Sequence, residues 1–319
     1  MKKWEDGSVR AGGQSYSPDE IHFHAPGLKH YETAEFVQRN RLEFVAISLT
    51  GTSCALRCEH CQGRMLESMY SVPGNGSLYG LCERLAANGT RGILVSGGSD
   101  GQGRVPHAAF AADLRRVKER LGLKILVHTG LVDQPVAEAL AEAGVDGAMM
   151  DVIGSDETVR LVYHLDASVG DFERSLALLE DYGIPSLPHI VMGLHYGTFL
   201  GEETALEVVA RHKIAGLILV ALRPLAGTPM QDIAPPTLAE MSAFVEKARL
   251  RLPAIPLLLG CARPGGEAKA ALDRAAIDIG VNGIAFPAEG TVAYASSMRL
   301  KPRFHETCCG VPWLIGNGG

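Results

Sequence analysis

Three cysteines stand close together at the end of an apolar run, FVAISLTGTSCALRCEHCQGRML, as Cys54, Cys58 and Cys61. The spacing C-x3-C-x2-C supplies three thiolates and no fourth. On a four-iron cluster three thiolates leave one iron without a protein ligand, open to a small molecule. Other uses of these residues account for less. A structural zinc site wants four ligands in a closed tetrahedron. The fourth would be a distant residue or His60, which is too close in sequence to wrap round with its neighbours. A thioredoxin-like pair needs only Cys58 and Cys61 and leaves Cys54 unexplained. Spectator thiols of a core are poorly placed in a loop between Gly51 and Gly63.

Four cysteines lie elsewhere. Cys82, in the helix-like stretch LYGLCERLAANG, reads as a packed thiol. Cys261 sits beside Arg263 in GCARPGG, and Cys308 and Cys309 adjoin in the tail RFHETCCGVPWLIGNGG. Adjacent cysteines rarely form a disulfide with each other, because the geometry is strained. Cys308 and Cys309 with Cys261 could hold an auxiliary cluster. The plain alternative is a flexible tail, against which Phe304, Pro312 and Trp313 stand as anchors.

The elements that must position these groups begin at residue 44. Short apolar runs alternate with amphipathic stretches: FVAISLTG (44–51), RGILVSGG (91–98), KILVHTG (124–130), GAMMDVIG (147–154), SLPHIVMGL (186–194), AGLILVAL (215–222), IPLLLGC (255–261) and VNGIAFP (281–287). Each suits a fully buried strand of a parallel sheet. Asp133 before Pro135, and Thr237 before Glu240, mark helix starts; Gly144, Gly183 and Gly280 mark helix stops. Eight strands each followed by a helix predict an α/β fold, a (β/α)8 TIM-type barrel, with a doubly wound open sheet as the rival. Residues 1–43 read as an N-terminal extension whose first 20 residues form a loose arm and whose histidines serve surface or packing roles. Residues 44–290 read as the barrel and 291–319 as the cysteine-bearing tail.

In a barrel, chemistry gathers at the C-terminal ends of the strands. There stand the cysteine loop, then Gly97-Gly98-Ser99-Asp100, then His128, then Asp151. A buried carboxylate such as Asp151 needs a partner, here a ribose hydroxyl or substrate on one reading and a cap or internal ion pair on the other. A glycine-rich turn from Gly193 towards Glu202 and the segment Pro224–Pro229 around Gly227 follow.

Bulk properties bound the rest. A chain of 319 residues that is 46% hydrophobic can bury a large core, as one barrel-sized domain or two smaller ones. A net charge of −6, spread without a basic block, argues against a phosphate-driven nucleic-acid binder. No apolar stretch approaches the ~18 residues of a spanning helix, and MKKWEDGSVRAGG does not read as a signal peptide. Seven cysteines, an odd number with a metal-type triplet, point to a reducing cytoplasm.

The cysteine loop after an apolar strand, with the His60 ring before the third cysteine, resembles the signature of the radical S-adenosylmethionine (radical SAM) superfamily. From about residue 44 to 290 the order of elements is similar to biotin synthase and its relatives. The resemblance implies a [4Fe–4S] cluster on Cys54, Cys58 and Cys61, S-adenosylmethionine bound near Gly97, Gly98, Asp100, Asp151, Gly193 and Gly227, and a low-potential reductant. The Glu of the family's Gly-Gly-Glu segment is absent here, which leaves backbone carbonyls or Asp100 for that role. Arg263 falls where biotin synthase has a cluster-binding arginine, but the cysteines of that second cluster are missing from the matching strands. The lead-in FHAP…HYET, GGSDGQGRVP, VHTGLVD, CARPGG and the tail resemble instead the two-component radical SAM lipoyl synthases. That likeness implies sulfur insertion into an octanoyl chain on a carrier protein, a second iron–sulfur cluster on Cys261, Arg263, Cys308 and Cys309, and a homologous partner subunit. A biotin-synthase-like enzyme acting on another small molecule, a radical SAM enzyme without sulfur insertion, and a non-catalytic zinc barrel are the competing readings.

Overall fold

The computed structural model describes residues 9–315 apart from 12, 13, 18, 73 and 75. The first eight residues of the expected arm and residues 316–319 of the tail lie outside the described residues. Within the arm, β1 (Val9–Ala11) and β2 (Gln14–Tyr16) pair as a small antiparallel hairpin.

All eight expected strands form: β4 (Phe44–Ser48), β6 (Gly92–Ser96), β7 (Lys124–Thr129), β8 (Gly147–Asp151), β9 (Ser186–Met192), β10 (Leu217–Ala221), β11 (Leu257–Leu259) and β12 (Gly283–Ala285). Three more join them: β3 (Glu20–His24), β5 (Tyr70–Ser71) and β13 (Lys301–His305). The result is one eleven-stranded sheet in the order β13-β3-β12-β11-β10-β9-β8-β7-β6-β4-β5. Its ladders are parallel throughout, from β13 against β3 to β4 against β5. The sheet is thus a partial TIM-type barrel: β12 is followed by β3 and β13, not by β4. The expected α/β barrel class stands, with its ladder left open.

Sequence marks predicted where the helices between the strands begin and end. Asp133 caps α3 (Gln134–Ala143), accepting from the Val136 amide at 3.1 Å, and Gly144 ends it in the left-handed region at φ 66°. Thr237 and Glu240 make a reciprocal capping box on α7 (Leu238–Arg251). Gly280 closes α8 (Gly266–Ile279). The remaining helices are α1 (Leu78–Ala87), α2 (Ala111–Arg116), α4 (Asp156–Val162), α5 (Val169–Asp181), α6 (Glu202–Val209), α9 (Thr291–Ser297) and α10 (Val311–Ile315).

Strand alternation sorts the core into two. Ile47, Val95, Val127, Met150, Ile190 and Leu219 face the helices, together with the fully buried Cys82 of α1. Their neighbours Phe44, Leu126, Met149, Leu187, Ile218 and Leu258 face the other way and pack with Cys308, Cys309 and Trp313. The carboxyl-terminal segment therefore fills the concave interior. A Cβ at Gly310 would strike the Met149 methyl and come within 2.6 Å of Leu187, so any side chain there would force both to shift.

Residues 25–43 lace the open side. The Gly27 amide donates to the Phe44 carbonyl at 3.0 Å, Gln38 Nε2 to the Ala25 carbonyl at 2.6 Å, and the Tyr31 hydroxyl to the Pro287 carbonyl at 2.7 Å. The Glu35 carboxylate accepts from the amides of Gly290 and Ala293 at the start of α9, where a negative charge suits the helix dipole. Inside this seam His22 Nδ1 lies 2.8 Å from His305 Nε2, and the His24 ring stacks on His305 at 4.9 Å. The packing role expected for His22 and His24 is what they have, while His30 is exposed.

Candidate functional site

The cysteine loop leaves β4 and turns back on itself through left-handed backbone at Gly51, Arg57, Gln62 and Gly63. The Cys61 and Gln62 amides donate to the Cys58 carbonyl at 3.1 and 2.9 Å, and the Arg64 amide to that of Cys61 at 2.8 Å. These bonds hold the thiols on one tight turn. Cys58 is buried, and Cys54 and Cys61 are half-buried.

The thiols share their protons unequally. A hydrogen bond from Cys58 holds Cys61 down to about 4, against burial and with help from His60. Cys58 is pushed up by that same bond, by burial and by the neighbouring sulfurs. Burial works against a charged His60, but a hydrogen bond to Cys61 together with the charges of Cys61 and Asp151 raises its pKa on balance. Deprotonated sulfur is what iron binds. Among the described residues the three sulfurs are not part of any set of donors converging within 4.8 Å, as ligands of one small ion would be. Three thiolates are the donor set that leaves one iron of a four-iron cluster open.

Gly97 and Gly98 adjoin this loop. The Gly98 amide donates to Thr50 Oγ1 at 2.7 Å, and the Ala55 amide to the Ser99 carbonyl at 2.8 Å. A Cβ on Gly98 would collide with the Ser53 carbonyl and stand 2.6 Å from Cys54 Cα. The glycine pair is thus an edge against which the cysteine loop lies directly. Asp100 turns away from it: its carboxylate accepts from the amides of Gln102 and Arg104 and pairs with the Arg104 guanidinium at 3.2 Å. Gly227 reaches the loop from the other side, where Arg64 donates to the Ala226 carbonyl. Gly193, at φ 74°, packs under Pro236, and its amide donates to the buried Glu202 carboxylate at 2.8 Å.

Asp151 is reached through a residue the sequence did not single out. Tyr163, just past α4, donates its hydroxyl to Asp151 Oδ2 at 3.1 Å. Its ring lies 5.4 Å from that of His60, and its carbonyl faces Cys58 Sγ at 3.9 Å. On the interior side of Asp151 lie His128, with Nε2 3.9 Å from Oδ1, and His189, across the ladder from it. Burial, then the charge of His128, lowers His189 to about 4. No sequence signal announces Tyr163 or His189 as partners; strand register and the turn after α4 create them.

Cys261, just past β11, and the Cys308–Cys309 pair come near enough to feel one another's charge. Burial and Cys308 push Cys261 up to about 12. A hydrogen bond within the pair lowers Cys308 and raises Cys309. Lys29, Lys269 and Arg263 bring positive charge to Cys261. Arg263 is buried and largely engaged, paired with Asp273 at 3.1 Å and donating to the Gly260 and Ala285 carbonyls; its Nε has no partner among the described residues.

Comparison with known proteins agrees with this arrangement. The model of the Radical SAM superfamily matches residues 48–209, half of the chain. No curated protein matches the sequence. Among solved structures, methylornithine synthase (PylB) shares 14% identity over 89% of this chain and 84% of its own, with a TM-score of 0.56. The hydrogenase maturase HydG from Carboxydothermus hydrogenoformans shares 13% over 93% of this chain and 70% of its own, with a TM-score of 0.60. Streptococcus suis SuiB bound to S-adenosylmethionine shares 16% over 72% and 52%, with a TM-score of 0.51. At these identities the likeness is one of fold. No helix among the described residues is long and apolar enough to cross a membrane.

Proposed function

Because this chain belongs to the radical SAM superfamily, we propose that it holds a [4Fe–4S] cluster on Cys54, Cys58 and Cys61 and inserts sulfur into an octanoyl chain, as one subunit of a lipoyl synthase. The bound cluster, once reduced, supplies the electron that cleaves S-adenosylmethionine to methionine and a 5′-deoxyadenosyl radical able to break an unactivated C–H bond. The protein's part is to bind, orient and shield. The Gly97–Gly98 edge lets the cysteine loop lie directly against the end of β6, and its carbonyls would offer acceptors for an ammonium group. Gly193 and Gly227 belong to the turns that surround the same ligand. Asp100, tied to Arg104, contributes by fixing the turn after β6.

One observation carries the sulfur-insertion reading. A second set of thiols, Cys261, Cys308 and Cys309, collects within the same barrel, ringed by Lys29, Lys269 and Arg263. Thiolates and a sulfide-bearing cluster are anionic, so cations there favour them. Such a cluster would be the sulfur source, with Arg263 orienting it through its free Nε. An octanoylated carrier protein, a homologous partner subunit and a low-potential reductant complete the proposed system.

The test is anaerobic reconstitution with iron and sulfide counts, then mass spectrometry of an octanoylated peptide incubated with S-adenosylmethionine, dithionite and the partner subunit. About eight irons per chain and an added mass of sulfur are expected. About four irons, with 5′-deoxyadenosine formed and no sulfur added, would leave the superfamily chemistry standing and remove the lipoyl proposal.

A further inference from the structure

Three side chains on consecutive strands, His128 of β7, Asp151 of β8 and His189 of β9, turn their polar atoms towards one another inside the barrel. One ligand-capable atom from each lies within 4.8 Å of the other two. His128 Nε2 is 3.9 Å from Asp151 Oδ1, the two imidazole rings are 5.3 Å apart at 55°, and Asp151 and His189 are direct partners in the parallel ladder. Such convergence is not a by-product of packing. The residues on the same interior face nearer the strand starts, Leu126, Met149 and Leu187, are apolar and tightly packed.

We propose that His128, Asp151 and His189 form a mononuclear site for a divalent transition metal, separate from both cysteine groups. Two imidazoles and one carboxylate are a facial ligand set that suits iron(II), cobalt(II) or zinc(II) and leaves further positions open. The two imidazoles argue against magnesium and calcium, which prefer all-oxygen cages. Ligand bonds of about 2.0–2.2 Å put neighbouring donors roughly 3–3.5 Å apart. The observed spacings, 3.9 Å between His128 Nε2 and Asp151 Oδ1 and within 4.8 Å for the set, stand somewhat wider than that. The carboxylate is already oriented as a metal-binding group would be. Tyr163 occupies Oδ2 and leaves Oδ1 towards the histidines, the outer-sphere support that ligating carboxylates usually have. The strand ends are fixed in turn, with His107 Nε2 3.3 Å from the His128 carbonyl and Thr129 Oγ1 donating to that of Met149 at 3.4 Å. The His128 and Asp151 side chains keep exposures of 29% and 30%, so the open positions of the metal face space and not packed core. An oxygen or nitrogen atom of a substrate, such as a carboxylate or amide, is what such a metal would anchor. Asp151 is thereby assigned to a metal, not to the ribose hydroxyls or substrate that the sequence suggested. Because Tyr163 also flanks Cys58 and His60, the site is joined to the cysteine loop by one residue.

The proposal does not depend on sulfur insertion. Its test uses the full chain with its iron–sulfur clusters reconstituted, so that the thiols are already occupied. Zinc(II) is titrated anaerobically by calorimetry, and bound zinc is counted by elemental analysis after gel filtration. One zinc per chain is expected, reduced to none retained in His128→Ala and in His189→Ala. In Tyr163→Phe the affinity should fall about 10- to 100-fold. Iron and sulfide counts and circular dichroism identify any variant that fails to fold, in which case His189→Gln, closer in size, replaces it. No zinc bound by the wild type, or equal binding in the folded histidine variants, overturns the proposal.

Discussion

The cysteine loop and the carboxyl-terminal plug each gather three thiols, by opposite means. The loop places Cys54, Cys58 and Cys61 within one turn, held by backbone bonds between near neighbours and laid directly against Gly98. The plug places Cys308 and Cys309 among Leu126, Met149 and Leu187, and meets Cys261 only because the whole sheet curves round it. A site of the first kind can be lost without harm to the fold. In the second kind the thiols and the core are the same residues.

Substitutions in the two regions should therefore separate chemistry from stability. The largest effect is expected for Cys54→Ala, which should abolish 5′-deoxyadenosine formation while the denaturation midpoint stays where it is. Unchanged product would remove the cluster assignment. Gly98→Ala, whose new methyl meets the Ser53 carbonyl, should slow the same reaction by about 100-fold, the scale of an ångström-sized displacement. A rate within twofold of wild type would show that the loop yields freely.

In the plug the readout is stability. Trp313→Ala empties a fully buried position and should cost about 3–5 kcal/mol in denaturant unfolding. Gly310→Ala, pressed between Met149 and Leu187, should cost about 1–3 kcal/mol. No change in either would mean that the segment does not fill the barrel in solution. The smallest effect is a pH slope. Burial, then His22, holds His305 down to about 4 from 6.5, and burial with His305 holds its stacking partner His24 well below the usual range. The folded state thus binds fewer protons than the unfolded one. Stability is complete above pH 6.5 and declines as pH falls towards 4. Midpoints measured across that window should fall less steeply in His305→Phe; identical slopes would argue that the ring titrates freely.

The eight barrel strands were legible because buried parallel strands are continuous apolar runs, and the caps at Asp133, Thr237 and Gly280 because their chemistry is local. The cysteine trio was legible for the same reason. β3 and β13 were not: EIHFH and KPRFH carry charge and histidine, and β13 lies on an edge with three of its five residues exposed. The convergence of His128, Asp151 and His189 depends on the register of three strands, which no single segment encodes. Tyr163 sits in a turn whose direction is set by α4 packing.

The seating of β3 bears on how the chain acquires its shape. Residues 20–24 are among the first described, yet their ladder partners are residues 283–285 on one side and 301–305 on the other. During synthesis on the ribosome this strand has no ladder partner until about 260 more residues have emerged. Closure is then a late, long-range event, slow by the usual dependence on sequence separation. Until it happens the interior that Cys308, Cys309 and Trp313 finally fill stands accessible to solvent.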